Sequence, residues 1–360
     1  MGRQIVAQTH VGNLGQTVTT FYVQLAMSDV ADLRTITPAG WSLADAYVDA
    51  SRLVPATDIT RVAYGEGALT LQVEPFRYLA SDWSLKCRAQ PSLSFSRPDV
   101  TRAVTRTADQ FLPGTRDGVP YRLYTPSTPG PHPLVLFLHG GGEGGTDNWL
   151  QLVGTLGAAA WAERYADAMV LAPQNPVAWD VIRASIPPQG GTPPRLPGWT
   201  VETLAVVASL IQGLMAGGQV DPARVYVTGM SMGGAGTLRM LAHHGDLFAG
   251  AAPICPSMNE ETLPYLKSLG NMPVWISSAY RDTLPTRHLQ IVEGIEHLQA
   301  AGNQNAHVTL YSAEELAAYG LGCHPALTEE QRWGENHHSW VLTLNNAYGI
   351  MDWLMAQGRG

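Results

Sequence analysis

The chain has 360 residues, 45% of them apolar and 14% charged, and carries a net charge of −8. That length and apolar fraction exclude a disordered chain and leave room for two domains, one with a large core. The acidic balance, with Arg scattered and Lys only at Lys86 and Lys267, excludes nucleic acid as a partner, because a phosphate-binding face needs clustered cations. No stretch reaches the roughly 20 apolar residues of a membrane span. The start, Met1-Gly2-Arg3-Gln4, lacks the apolar core of a secretory signal, so the expectation is either a cytoplasmic protein or an exported one whose signal has been removed. Cys87, Cys255 and Cys323 have neither zinc-site spacing nor the density of a disulfide framework. They are expected as thiols, with a Cys255–Cys323 pair as the alternative for an exported protein.

Along the first hundred residues, apolar and polar positions alternate over Thr17–Val23, Ile59–Tyr64 and Ala68–Val73, the pattern of half-buried strands. Gly, Pro and Asp punctuate them at short intervals, and few segments are long enough for a helix. A small Ig-like β-sandwich over residues 1–105 fits. Its Trp41 and Trp83 are expected in the core, with exposed stacking as the alternative. A polar linker is expected over 106–117.

From residue 118 the pattern changes. Fully apolar runs at 134–138, 168–171, 225–227, 250–254, 274–276 and 307–311 alternate with segments of helical period near 148–165, 201–216, 232–244, 286–301 and 343–356. Apolar runs without alternation, separated by helices, imply a mostly parallel sheet covered on both faces, and such sheets carry sites at the carboxyl ends of their strands. The Pro-rich segment 187–197 is expected as a rim loop over the site.

The strongest chemical signal is Gly229-Met230-Ser231-Met232-Gly233. A strand reading (224–228) precedes it and a helix reading (233–241) follows. A turn that sharp needs small flanking residues and lifts the serine hydroxyl above the sheet edge, which is the nucleophile elbow of an α/β-hydrolase. The serine then requires a base and an orienting acid, in the chain order Ser, Asp or Glu, His. Asp282 follows the strand at 273–278 and suits the acid; Asp246 comes too soon after the nucleophile helix. For the base, the adjacent His337 and His338 are equally placed by residue physics, and His324 is a weaker third choice. An oxyanion needs backbone donors aimed at it. One is expected from Met232 and the other from His139-Gly140-Gly141-Gly142, with Gly141 first and Gly142 next. No Gly-Lys-Ser/Thr follows those glycines, which excludes a phosphate-binding loop.

With these residues placed, the chain resembles bacterial carboxylesterases of the poly(3-hydroxybutyrate)-depolymerase-like and feruloyl-esterase-like group, in particular members with an N-terminal Ig-like domain. The resemblance spans roughly 118–356. It is carried by Pro133–Gly140 with Glu143, Gly145, Asp147 and Asn148; by Ala172-Pro173-Gln174 with Trp179; by Gly229–Gly234; by Asp282-Thr283-Leu284-Pro285; and by His337-His338-Ser339-Trp340. The group's His-x-x-Trp pattern falls on His337. The resemblance implies cofactor-free hydrolysis of carboxylic esters of short acyl, aromatic or polymeric kind. It also implies that Glu143 shapes the oxyanion loop and that Trp179 lies beside the acyl or aromatic subsite. Gly144 departs from the pattern, which has Arg there. The resulting expectation is Ser231, Asp282 and His337 as catalytic residues, Gly141 and Met232 as the oxyanion hole, and Gly142, Glu143 and Trp179 against substrate, with no metal and no cofactor. A serine peptidase and a non-catalytic binding protein are the competing classes, and self-association through the N-terminal domain is a further expectation.

Overall fold

The computed structural model describes residues 3–25, 36–49, 54–178, 180–181, 198–283 and 286–359. It divides into two units, Met1–Gln110 and Phe111–Gly360.

The first unit is strand-rich. A five-stranded sheet runs in the order Arg102–Thr105, Ile5–Gly12, Gly15–Gln24, Ala68–Arg77, Ile59–Gly65, and a three-stranded sheet pairs Trp41–Ala44, Ser84–Cys87 and Phe95–Ser96. Residues of both sheets close on one core that includes Phe21, Phe76, Trp41, Trp83 and Phe95. Trp83 is its centre, with ring centroids 5.1 Å from Phe21 and 5.3 Å from Phe76, and its indole N–H donates to the Tyr78 carbonyl at 3.0 Å. Both tryptophans are therefore packing residues. Burying such rings accounts for how a sequence with few helices holds together.

The second unit has the α/β-hydrolase fold. Its strands are β1 (Leu112–Arg116), β2 (Val119–Tyr124), β3 (His132–Leu138), β4 (Met169–Pro173), β5 (Val220–Met230), β6 (Gly250–Ile254), β7 (Val274–Ala279) and β8 (Ala306–Tyr311). They form one eight-stranded sheet in the order β1-β2-β4-β3-β5-β6-β7-β8. β1 and β2 are antiparallel, β2 meets β4 antiparallel, and every other pairing is parallel. The linker expected at 106–117 is corrected here: residues 112–116 are β1, joined to β2 by a turn in which Asp117 and Gly118 both have positive φ. That Asp-Gly pair is a hairpin signal, and it makes the segment part of the sheet.

The helices are α1 (Leu150–Val153), α2 (Gly157–Arg164), α3 (Val201–Ala216), α4 (Met232–His244), α5 (Thr262–Lys267), α6 (Arg287–Ala300), α7 (Ala313–Ala318), α8 (Glu329–Asn336), α9 (Trp340–Leu344) and α10 (Ile350–Met355). On one side Leu134, Leu136 and Val227 pack with Leu204, Val207 and Ile211 of α3. Elsewhere Val274 and Ile276 pack with Ile291, Ile295 and Leu298 of α6. Each fully buried Leu, Ile or Val there contributes roughly 1.5–3 kcal/mol of transfer free energy. Two expected helices are broken. The one near 148–165 splits into α1 and α2 at Gly154, where a Cβ would lie 2.6 Å from Glu143 Cγ. The one near 343–356 starts earlier and splits at Asn346 and Tyr348, both with positive φ, and the Asn346 side chain caps α10 by accepting from the Met351 amide at 2.9 Å. The Pro-rich segment 187–197 lies outside the described residues.

Candidate active site

β5 runs straight into α4, and Ser231 is the hinge, with φ 55° and ψ −115°. This conformation costs of order 1–3 kcal/mol for a residue with a Cβ, so its surroundings must over-determine it. They do so through the backbone. The Ser231 amide donates to the Ile254 carbonyl at 2.9 Å, and its carbonyl accepts from Ala235 and Ser257, each at 3.1 Å. Gly233 makes the turn possible, because a Cβ there would sit 1.9 Å from the Leu138 carbonyl oxygen. The same close approach sets the turn against the end of β3.

Three side chains from three other segments converge on this serine. His337 Nε2 lies 2.9 Å from Ser231 Oγ. His337 Nδ1 lies 2.9 Å from Asp282 Oδ1 and 3.0 Å from Oδ2. Arg287, the first residue of α6, places Nη1 2.8 Å from Asp282 Oδ2, 3.3 Å from the Cys255 carbonyl and 2.6 Å from His337 Nδ1. The two Nη1 hydrogens have the two oxygens as acceptors. With its hydrogen on Nδ1, His337 donates to Asp282, and its Nε2 presents a lone pair to the Ser231 hydroxyl. Asp282 also accepts from the Thr283 amide at 2.5 Å and the Thr283 hydroxyl at 2.8 Å.

Charge follows from this packing. Burial alone would raise the Asp282 carboxyl, but the facing His337, then Arg287 and Thr283, outweigh it and hold the group well below the usual carboxylate range. Burial lowers the basicity of His337, the Arg287 guanidinium lowers it further, and Asp282 opposes both. The resting site thus holds a carboxylate, a guanidinium and a neutral imidazole.

The loop after β3 folds into a single 3-10 turn, Gly141–Glu143. His139 anchors its start. The ring accepts the Asn175 amide at Nε2 (2.9 Å) and faces the Gly140 carbonyl through Nδ1 (2.6 Å), and burial keeps it neutral, with its pKa lowered to about 4. Glu143 turns inward, buried, and accepts from the Thr155 hydroxyl at 2.7 Å; burial pushes its carboxyl up to about 7 against that bond and one from the Gly140 backbone. Gln174 ties the far side, donating to the Glu143 carbonyl and to Asp147, each at 3.1 Å, while accepting from the Asn148 amide at 2.7 Å. Gly144 therefore sits in a loop held by its neighbours. Met232 opens α4 and Gly141 opens the 3-10 turn, so both amides precede any carbonyl their own helix could offer them. Gly140 lies against the Met230 carbonyl, so the two turns adjoin.

The geometry separates the two histidines. His338 packs its ring 4.7 Å from Trp340, while His337 reaches Ser231 and Asp282. His324 is exposed and accepts locally from the Ala326 amide; Asp246 is exposed in the turn after α4. Trp179 lies outside the described residues. Gly142 is exposed on the loop surface. Cys87 and Cys255 are buried and Cys323 exposed, each a free thiol, so Cys255 and Cys323 are not paired. Arg287, Thr283 and the clamp by Gln174 are residues that sequence reasoning did not assign. Arg287 carried a faint signal, a cation opening a helix five residues after the candidate acid.

Residues 199–313 match the model of the prolyl oligopeptidase family. NocK of Nocardia uniformis subsp. tsuyamanensis, a protein named as an esterase, is 31% identical over 244 residues, which is 66% of this chain and 64% of that protein's length. Poly(3-hydroxyalkanoate) depolymerase C of Paucimonas lemoignei is 46% identical over 48 residues, 13% of this chain and 12% of its own. Among solved structures, a thermostable esterase superposes with a TM-score of 0.69 at 24% identity, covering 99% of this chain and 100% of that one. That likeness fixes the fold.

Proposed function

We propose that the protein is a serine carboxylesterase that works through an acyl-enzyme on Ser231. The observation that carries this reading is the 2.9 Å approach of His337 Nε2 to Ser231 Oγ, with Asp282 behind the ring. His337 accepts the serine proton as Oγ attacks the ester carbonyl, and Asp282 stabilises the imidazolium that forms. The oxyanion is received by the amides of Met232 and Gly141, at the start of α4 and of the 3-10 turn. His337 returns the proton to the departing alcohol, and water then repeats the sequence to release the acid. Glu143 and Gly142 shape the loop above the carbonyl, and Trp179 is proposed beside the acyl group. The strained backbone at Ser231 supports the nucleophile role, since such strain persists where surroundings enforce it. Similarity to NocK supports an ester substrate, and the short match to the depolymerase supports including polyesters among the candidates. The two sheets of the first unit, closed on one aromatic core, support an Ig-like domain.

A second reading, peptide hydrolysis, has one observation in its favour: the match of residues 199–313 to the prolyl oligopeptidase family. A series of p-nitrophenyl esters of increasing chain length, with a feruloyl ester, a polyester film and a peptide p-nitroanilide assayed alongside, separates the two. Turnover of esters that disappears in Ser231→Ala supports the esterase. Peptide cleavage without ester turnover replaces it with a peptidase.

A further inference from the structure

Arg287 is a costly residue to keep where it is. Its side chain is 4% exposed, against 1% for Asp282. Removing two charges from water is repaid only by good geometry and further hydrogen bonds, and stability alone is a weak reason for such a pair. Here the guanidinium is incompletely satisfied, because its buried Nε has no partner among the described residues. Its Nη1 is committed to Asp282 and to the Cys255 carbonyl, and that places the cation 2.6 Å from His337 Nδ1.

We propose that Arg287 is a positioning residue of this site: it fixes the Asp282 carboxylate and, by setting its charge beside His337, keeps the resting imidazole neutral and its Nε2 free for Ser231. The inference rests on the reading of Ser231 as nucleophile. With Asp282 alone behind it, His337 would face an uncompensated negative charge, which favours the imidazolium. With Arg287 in place that charge is neutralised, and a second proton on the ring makes the buried cluster net positive. Arg287 also leaves only one productive arrangement, since its hydrogens occupy Asp282 Oδ2 and the Cys255 carbonyl while Oδ1 remains for Nδ1–H. The Cys255 thiol also lies beside this cluster, and burial pushes it up to about 12 and so keeps it uncharged. On its own segment His337 is flanked by Glu335 and His338, and Glu335 is occupied by the Gly322 amide at 2.7 Å.

The test is the pH dependence of Ser231 phosphonylation by a fluorophosphonate, from pH 4.5 to 9, in wild type, Arg287→Lys and Arg287→Met. The wild-type acid limb is expected below pH 6.5, the ordinary histidine value. Arg287→Lys keeps the charge and should keep the limb near its wild-type position. Arg287→Met should move the limb up by about one pH unit or more, while the alkaline plateau stays within roughly tenfold of wild type. A residue that merely props the fold would lower the plateau and leave the limb where it is, and that outcome overturns the inference. An NMR titration of the His337 ring in wild type and in Arg287→Gln decides the matter if Arg287→Met does not fold. A higher midpoint in Arg287→Gln than in wild type supports the role of Arg287, and an unchanged midpoint contradicts it, because burial lowers both alike. Failure of wild-type Ser231 to react at any pH would instead sink the nucleophile reading, and the NMR titration would still judge Arg287.

Discussion

Ser231 and His337 are held in place by different kinds of force. Ser231 is fixed by backbone: a strand, a helix, three main-chain hydrogen bonds and a glycine pressed on the Leu138 carbonyl. His337 sits in a short 3-10 turn between α8 and α9, and what aims its ring is side-chain chemistry, namely Asp282, Arg287 and the Trp340 ring at 5.7 Å. Local covalent geometry can therefore place the serine, whereas the histidine that faces it depends on residues 50 and 55 positions away in the chain. Errors in the first region should be catastrophic and local. Errors in the second should be graded and visible in the pH profile.

The largest expected effect is on the serine itself. Ser231→Ala should lower kcat for a short-chain p-nitrophenyl ester by roughly four to six orders of magnitude while the melting temperature holds; retained turnover would dissolve the comparison by removing its first member. Next comes the histidine pair. His337→Ala should cost a similar factor, and His338→Ala, whose ring packs on Trp340, should stay within about tenfold; equal losses would show that the aiming of His337 is not what matters. Gly233→Ala sharpens the backbone side of the contrast. Its Cβ would overlap the Leu138 carbonyl, so a destabilisation of about 3 kcal/mol or more, or loss of soluble protein, is expected from urea unfolding. An unchanged midpoint would show that the turn can relax.

The smallest effect concerns the loop that lies against the turn. Folded Glu143 keeps its proton to about pH 7, against 4.5 for an ordinary glutamate. Between those values the folded state binds more protons than the unfolded one, so this group makes stability fall as pH rises through that window. Glu143→Gln should flatten the pH dependence of the urea midpoint between pH 5 and 8. An unaltered slope would mean that the buried carboxyl does not carry it.

The same contrast explains what could be seen in the sequence. The α/β-hydrolase sheet was legible because its strands are unbroken apolar runs such as 134–138, and the Ser231 turn because its glycines, strand and helix are contiguous. The order of Asp282 and His337 after Ser231 was legible too, but residue physics could not separate His337 from His338; a family pattern did. β1 was hidden in a polar stretch because it is the exposed edge strand, paired only with β2, although Asp117-Gly118 marked the hairpin. α8 was missed although Thr328 and Gln331 form a capping box at its start. Arg287 and Gln174 were missed for a deeper reason. Their partners come from other segments, and a polar residue at a helix start or strand end reads as ordinary until the fold brings Asp282 or Asn148 to it.

The most direct test of the central claim is peptide mapping of the enzyme after acid quench during turnover of a slow activated ester. The expected result is one acyl adduct, on the peptide containing Ser231, absent from Ser231→Ala. Ester turnover with no adduct on that serine, or with the adduct on another residue, would contradict it.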